Sequence, residues 1–186
     1  MAGDPTKASL WANADVYYAP VGTTAPTDTY TAPAVAWKLV GLLDGDEGMT
    51  EARDEDTSEH YAWGGILVKS TRSKHKRTIK FVALEDNDNV FALVNPGSDR
   101  AAADVNGVVV DTVRVPVAQE YAFLFEVRDG DKVRRRIVKR GEITEVGEIK
   151  DSEADLTAYE MTTTLYPESD GELYKTLTGP AEDPTP

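Results

Sequence analysis

The sequence has no cysteine, which excludes a disulfide framework, a thiolate nucleophile and a cysteine-type zinc site. Its two histidines, His60 and His75, are too few for a three-histidine metal centre within one chain. No apolar run approaches the roughly 18 residues of a membrane helix, so no membrane partner is expected. The start, Met1-Ala-Gly-Asp-Pro, lacks the basic and apolar regions of a secretion signal. Basic residues are in the minority: 20 Lys and Arg against 33 Asp and Glu give a formal charge of −13 over 186 residues. That sign is wrong for a general nucleic-acid binder, because neutralising phosphates takes Lys and Arg. No G-x-S-x-G, H-E-x-x-H, GxGxxG or P-loop pattern occurs, and the histidines sit on different segments with no nucleophile–base pairing. The reading is a chain without catalytic, cofactor-binding or metal-binding residues. What is present, 40% apolar and 8% aromatic residues, suits one folded domain made in a cytoplasm.

Residue patterning predicts a mainly β protein: an antiparallel sandwich or barrel of about nine or ten strands, with one short α-helix, a long acidic loop and extended terminal arms. A single domain spans 1–186, with an N-terminal arm over 1–14 and a C-terminal tail over 179–186. Leu10 and Trp11 interrupt an otherwise polar arm, so they are expected to dock on this subunit or a neighbour. Pro20, Pro26 and Pro33 keep regular structure out of the following loop. Between Asp44 and Glu59 stand eight acids (Asp44, Asp46, Glu47, Glu51, Asp54, Glu55, Asp56, Glu59) and one base, Arg53. Unpaired carboxylates cost several kcal/mol each to bury, so this stretch reads as a long exposed loop, with at most a short strand around 49–52. Asp44-x-Asp46-x-Gly48 with Glu55 at the twelfth position echoes a calcium loop but lacks its turn glycine, and β-prone segments flank it. Two strands are expected at 66–69 and 74–84. A helix of about two turns is expected after the cap candidates Asp86 to Asn89, ending at Pro96-Gly97. Val108–Val117 reads as an edge strand.

The clearest local signal is 119–140. Asp129-Gly130 between β-prone runs predicts a two-residue hairpin, with Arg128 opposite Asp131 and Glu120 opposite Lys139. One face then joins Tyr121, Phe123, Phe125 and Val127 to Lys132, Arg134, Arg136 and Val138. An aromatic row beside arginines has two outlets. Either the arginines lie over the rings, or another subunit covers the face and its acidic loop meets Arg134 and Arg136. Complementary patches on one chain are what a heterologous self-assembling interface requires. The candidate interface residues are therefore the eight acids, Tyr121, Phe123, Arg134, Arg136, Arg140 and Trp11.

Trp37-Lys-Leu-Val-Gly-Leu-Leu43, the acidic insertion, Ala62-Trp-Gly-Gly65, and the run from Thr78 to Glu85 followed by Asp86-Asn-Asp-Asn-Val-Phe-Ala-Leu93 resemble the major tail (tail tube) proteins of long-tailed, siphovirus-like bacteriophages, particularly those of actinobacterial hosts. The resemblance implies hexameric rings whose sheets join into one barrel around a lumen, stacked into a tube that conducts the genome. It also implies that the long loop, here 44–65 with Trp63 as anchor, reaches the neighbouring ring. Implied partners are further copies of the chain, a tape measure protein, tail terminator and baseplate proteins, and genomic DNA passing without specific binding, all in the virion tail after assembly in the host cytoplasm. A tail terminator or a head decoration protein could share the pattern. A different class of reading is a monomeric carbohydrate-binding sandwich using Tyr17, Tyr18 and Trp37 as a platform.

Overall fold

The computed structural model describes residues 3–4 and 7–182; Met1, Ala2, Pro5 and Thr6 of the expected arm, and 183–186 of the expected tail, lie outside the described residues. Ten strands and one helix follow in chain order: β1 (Asn13–Pro20), β2 (Lys38–Leu39), β3 (Thr50–Ala62), β4 (Ile66–Ala83), α1 (Asp88–Val94), β5 (Asp99–Arg100), β6 (Asp111–Thr112), β7 (Glu120–Asp129), β8 (Lys132–Val146), β9 (Tyr159–Leu165) and β10 (Lys175–Pro180). The mainly β, antiparallel architecture with one short helix is the expected one. Seven strands run in the order β2-β1-β7-β8-β9-β4-β3, and β10 also pairs with β8. The 15-residue β8 is long enough to seat two strands in tandem along one edge, β10 against 132–137 and β9 against 141–146. Among the described residues the sheet does not close on itself, so both borders stay open.

Alternation sorts the apolar residues to two faces. On one face Val16, Tyr18, Ile79, Phe81, Phe123, Phe125, Val138, Met161 and Leu165 form the main core. There Phe123 and Phe125 stack at 5.8 Å, and Phe81 meets Phe125 edge-on at 5.9 Å. Helix α1 closes this face by burying Val90, Phe91, Leu93 and Val94. Its N-cap is Asn87, whose Oδ1 accepts from the N–H groups of Asn89 and Val90 at 2.9 Å each, as the run of cap candidates implied. On the other face Ala19, Trp37, Ala122, Leu124 and Ile137 form a smaller core. The proline-bearing loop 21–37 covers it, and Trp37 Nε1 donates to the Thr24 carbonyl at 3.1 Å. Trp37 and Tyr18 are thus both buried, so the expected carbohydrate platform does not exist as a surface.

Beneath that loop lies a buried ion pair. Arg135 is 3% exposed and Glu126 2%; Arg135 Nε donates to Glu126 Oε2 at 2.5 Å. Arg135 Nη1 donates to the carbonyls of Asp28 and Thr31 at 2.9 and 2.8 Å. Arg128 also contacts Glu126 and bonds Asp15 at 2.6 Å. Buried charges persist only when paired and hydrogen-bonded, and here one guanidinium pins the loop to the sheet.

Four expectations need correction. The acidic stretch is not a loop with a short strand: after a turn at 44–48 it becomes the 13-residue strand β3. The break expected at 70–73 is absent, because β4 runs unbroken through 66–83. The hairpin turn is Gly130-Asp131 with Asp129 opposite Lys132, since Gly130, at φ +55, takes the position that requires positive φ. A further register shift between Tyr121 and Phe123 brings Glu120 to Arg140, with bonds of 3.0 and 2.9 Å, while Lys139 pairs with Glu172 at 2.8 Å. Finally, the valine run contributes only the two-residue β6, and Val108, Val109, Val110, Val113, Val115 and Val117 are all exposed. β-branched residues favour a strand only when neighbours exist to pack against.

Candidate functional site

From Arg53 to Lys76 the hairpin β3–β4 pairs only with itself, because β9 accompanies β4 only along 78–83. Both faces of this two-stranded ribbon are exposed over nearly its whole length. Its turn is Trp63-Gly64-Gly65, with Gly64 at φ +89 and Gly65 at φ +78, two consecutive residues in the region open to glycine. The Gly65 N–H bonds the Ala62 carbonyl at 3.1 Å. Trp63 is fully exposed at the tip, and Tyr61, Ile66, Leu67 and Val68 are exposed beside it.

The shaft explains how so acidic a sequence can be a strand. Glu55 collects His75 Nδ1 at 2.8 Å, Arg53 at 3.5 Å and Arg72 at 3.8 Å, and Asp56 takes Lys74 at 2.7 Å. At the root Glu51 accepts from Arg77 and from the Tyr174 hydroxyl, both at 2.9 Å, with Arg136 at 3.8 Å. Glu59 accepts from the Tyr61 hydroxyl. Asp44 caps the turn N–H groups of Asp46 and Glu47, and Glu47 lies 4.0 Å from Lys80. Asp46 and Asp54 have no ion-pair partner among the described residues. The basic partner for the acidic run is thus the adjacent strand of the same chain. Glu55 lies on the extended strand β3 beyond the turn at 44–48, so the calcium-like spacing from Asp44 is not used, and no group of three potential ligands forms among the described residues.

The hydrogen bond from His75, helped by Arg53 and Arg72, holds the Glu55 carboxyl below its ordinary value. A depressed folded pKa means that its contribution is present above the ordinary carboxylate pKa and is lost as pH falls through the depressed one. Acidification through and below the ordinary carboxylate range is therefore expected to loosen the shaft before the core. Backbone NMR signals of 53–57 and 72–76 should shift together in that range, and Glu55→Gln should abolish the transition.

The other expected interface residues fall in two groups. Phe123 is wholly inside the chain's own core and Tyr121 is packed against it, so the aromatic face is covered by this chain rather than left for a neighbour. Arg136 is drawn to Glu51, and Arg140 is forked onto Glu120. Trp11 lies under Arg134, 4.7 Å from guanidinium to ring, with Lys132 at 5.5 Å. The arm is fastened there by the Ala12 N–H on the Arg128 carbonyl at 2.9 Å and by Lys132 on Ser9 at 2.7 Å. Trp11 therefore docks on this subunit. The ion pair Arg135–Glu126 was invisible to the sequence reading; an isolated Glu in the apolar row Ala122, Leu124, Glu126 was the available signal.

Between the docked arm and the segment 41–49 lies a groove of about 500 Å3, lined by Leu10, Trp11, Leu42, Leu43, Met49 and Val127, with Asp15, Asp44 and Arg136 among its polar residues. Gly41 shapes its wall: at φ +117, a Cβ there would stand 2.7 Å from the Glu85 carboxylate, which accepts the Leu42 N–H at 2.7 Å. Gly41→Ala is expected to cost about 1–3 kcal/mol through backbone strain and loss of that bond, measured by chemical denaturation.

A search among curated proteins returned no match. The family model described as phage tail tube protein matches residues 1–184. A mainly antiparallel sheet with open borders, a projecting ribbon and coverage of almost the entire sequence make the assignment direct: the chain belongs to the phage tail tube protein family, whose members are structural components of the virion tail.

Proposed function

We propose that this protein self-assembles into stacked hexameric rings that form the tail tube of a siphovirus-like phage, the conduit for DNA delivery, and that it has no enzymatic activity. The family match over residues 1–184 carries this reading. The structure supports it in two ways. The sheet ends at the outer edge of β3 and at the two-residue β2, and unpaired edges are templates for pairing with another chain, a liability that ring closure removes. The ribbon exposes apolar residues that one chain leaves uncovered, and such patches mark interaction sites. In a tube of chains that each carry a net charge of −13, DNA slides without sticking, because net negative walls do not favour the counterion release that drives binding to a basic surface. A tape measure protein inside the growing tube, with terminator and baseplate proteins at its ends, completes the set of partners, and assembly takes place in the host cytoplasm. Electron microscopy of the concentrated protein, alone and with its tail partners, should show rings and tubes of uniform bore; a monomer under every condition would refute the proposal.

A further inference from the structure

The ribbon and the body differ in sign. Residues 53–76 hold five Lys and Arg against four Asp and Glu, a net of +1, while the rest of the chain holds 15 against 29, a net of −14. On the shaft, Lys69 and Lys76 have no ion-pair partner among the described residues. At the other end of the hairpin, the turn that leads into β3 carries Asp44, Asp46 and Glu47 beside the apolar groove, whose lining ends at Gly48 and Met49, directly before Thr50. The groove therefore lies at the hairpin's root and the apolar cluster at its tip. With 13 residues in β3 at about 3.3 Å each, root and tip are roughly 40 Å apart. Because β3 and β4 pair throughout, the tip cannot fold back into its own groove.

We infer that this groove seats the hairpin tip of a second copy. Trp63, Ile66 and Val68 of one chain cover Leu10, Leu42 and Met49 of the next, and Lys69 comes to the acidic turn at 44–47. The contact joins two different surfaces of one chain, so it is heterologous and propagates without closing. Opposite charges favour the encounter and set its polarity. The spacing between successive copies is then the root-to-tip length of the ribbon, roughly 40 Å. The inference rests on the assembly reading above and adds the seat to which the ribbon goes.

Cysteine cross-linking tests it cleanly, because the native chain has no thiol. A double variant, Leu42→Cys with Ile66→Cys, should give on mild oxidation a reducible ladder of dimers, trimers and longer species, whereas the two single variants mixed should stop at cross-linked dimers. In parallel Leu42→Asp, at a side chain already 68% exposed, should leave the circular dichroism spectrum unchanged and shorten tubes at least tenfold. Normal tubes from Leu42→Asp, together with tubes of the double variant that give no ladder, would overturn the groove assignment while the tube function stands. Failure of the unaltered protein to assemble, even with its tail partners, would overturn the reading beneath it and the groove with it.

Discussion

Arg135→Ala is expected to lower the unfolding free energy by about 3–5 kcal/mol, because the buried Glu126 carboxylate loses its main partner. For a chain of this length such a loss lowers the melting temperature by roughly 10 °C. Arg128 approaches Glu126 from a partly exposed position and offsets only part of the loss. The carbonyls of Asp28 and Thr31 also lose their donor, so the loop over Trp37 should loosen and its indole fluorescence should shift toward the exposed range. The double variant Arg135→Met, Glu126→Leu should recover much of the stability, since an apolar replacement of both partners removes the desolvation problem. A double variant as unstable as the single one would mean that packing volume, rather than the unpaired charge, sets the cost.

The second large effect concerns assembly. Replacing residues 55–75 with Asn-Gly, so that a two-residue turn joins Asp54 to Lys76, removes the ribbon where it pairs only with itself. The core residues Ile79, Phe81 and Ala83 keep their partners on β9. The expected product is a folded, soluble chain with native thermal stability to within about 1 kcal/mol, and a complete loss of tubes by electron microscopy. Tubes of normal length would remove the ribbon from any stacking role. An unfolded product would mean that the shaft belongs to the folding unit, which its double-sided exposure argues against.

Charge explains where sequence reading and structure part company. Eight carboxylates within 44–59 look unfit for a strand when each is weighed against burial. The assumption that fails is that a strand must be buried: β3 is exposed, and His75, Arg72, Lys74 and Arg77 face it along the ribbon. Those bases were legible as a basic run, but the pairing of the two runs depends on the Trp63-Gly64-Gly65 turn and its register. Similarly, the hairpin 120–142 was legible as two strands and a turn, and its two faces were sorted correctly. A one-residue displacement of the turn and one register shift still took Glu120 away from Lys139: it stands opposite Glu142 and pairs its charge with Arg140. Helix α1 was legible almost to the residue, since its cap, apolar run and proline stop are all local signals.

By itself the sequence determined the β content, the single helix, the acidity and the absence of thiols, because composition, alternation and capping act over a few neighbouring residues. Only the tertiary structure decided that the acidic run meets its bases in the same chain, that Phe123 is core, that Arg135 and Glu126 share a dry site, and that a groove opens at the root of the ribbon. Each of those depends on which distant strands become neighbours. That choice is made by the whole sheet burying its apolar faces at once, a sum over contacts that no short window of sequence contains.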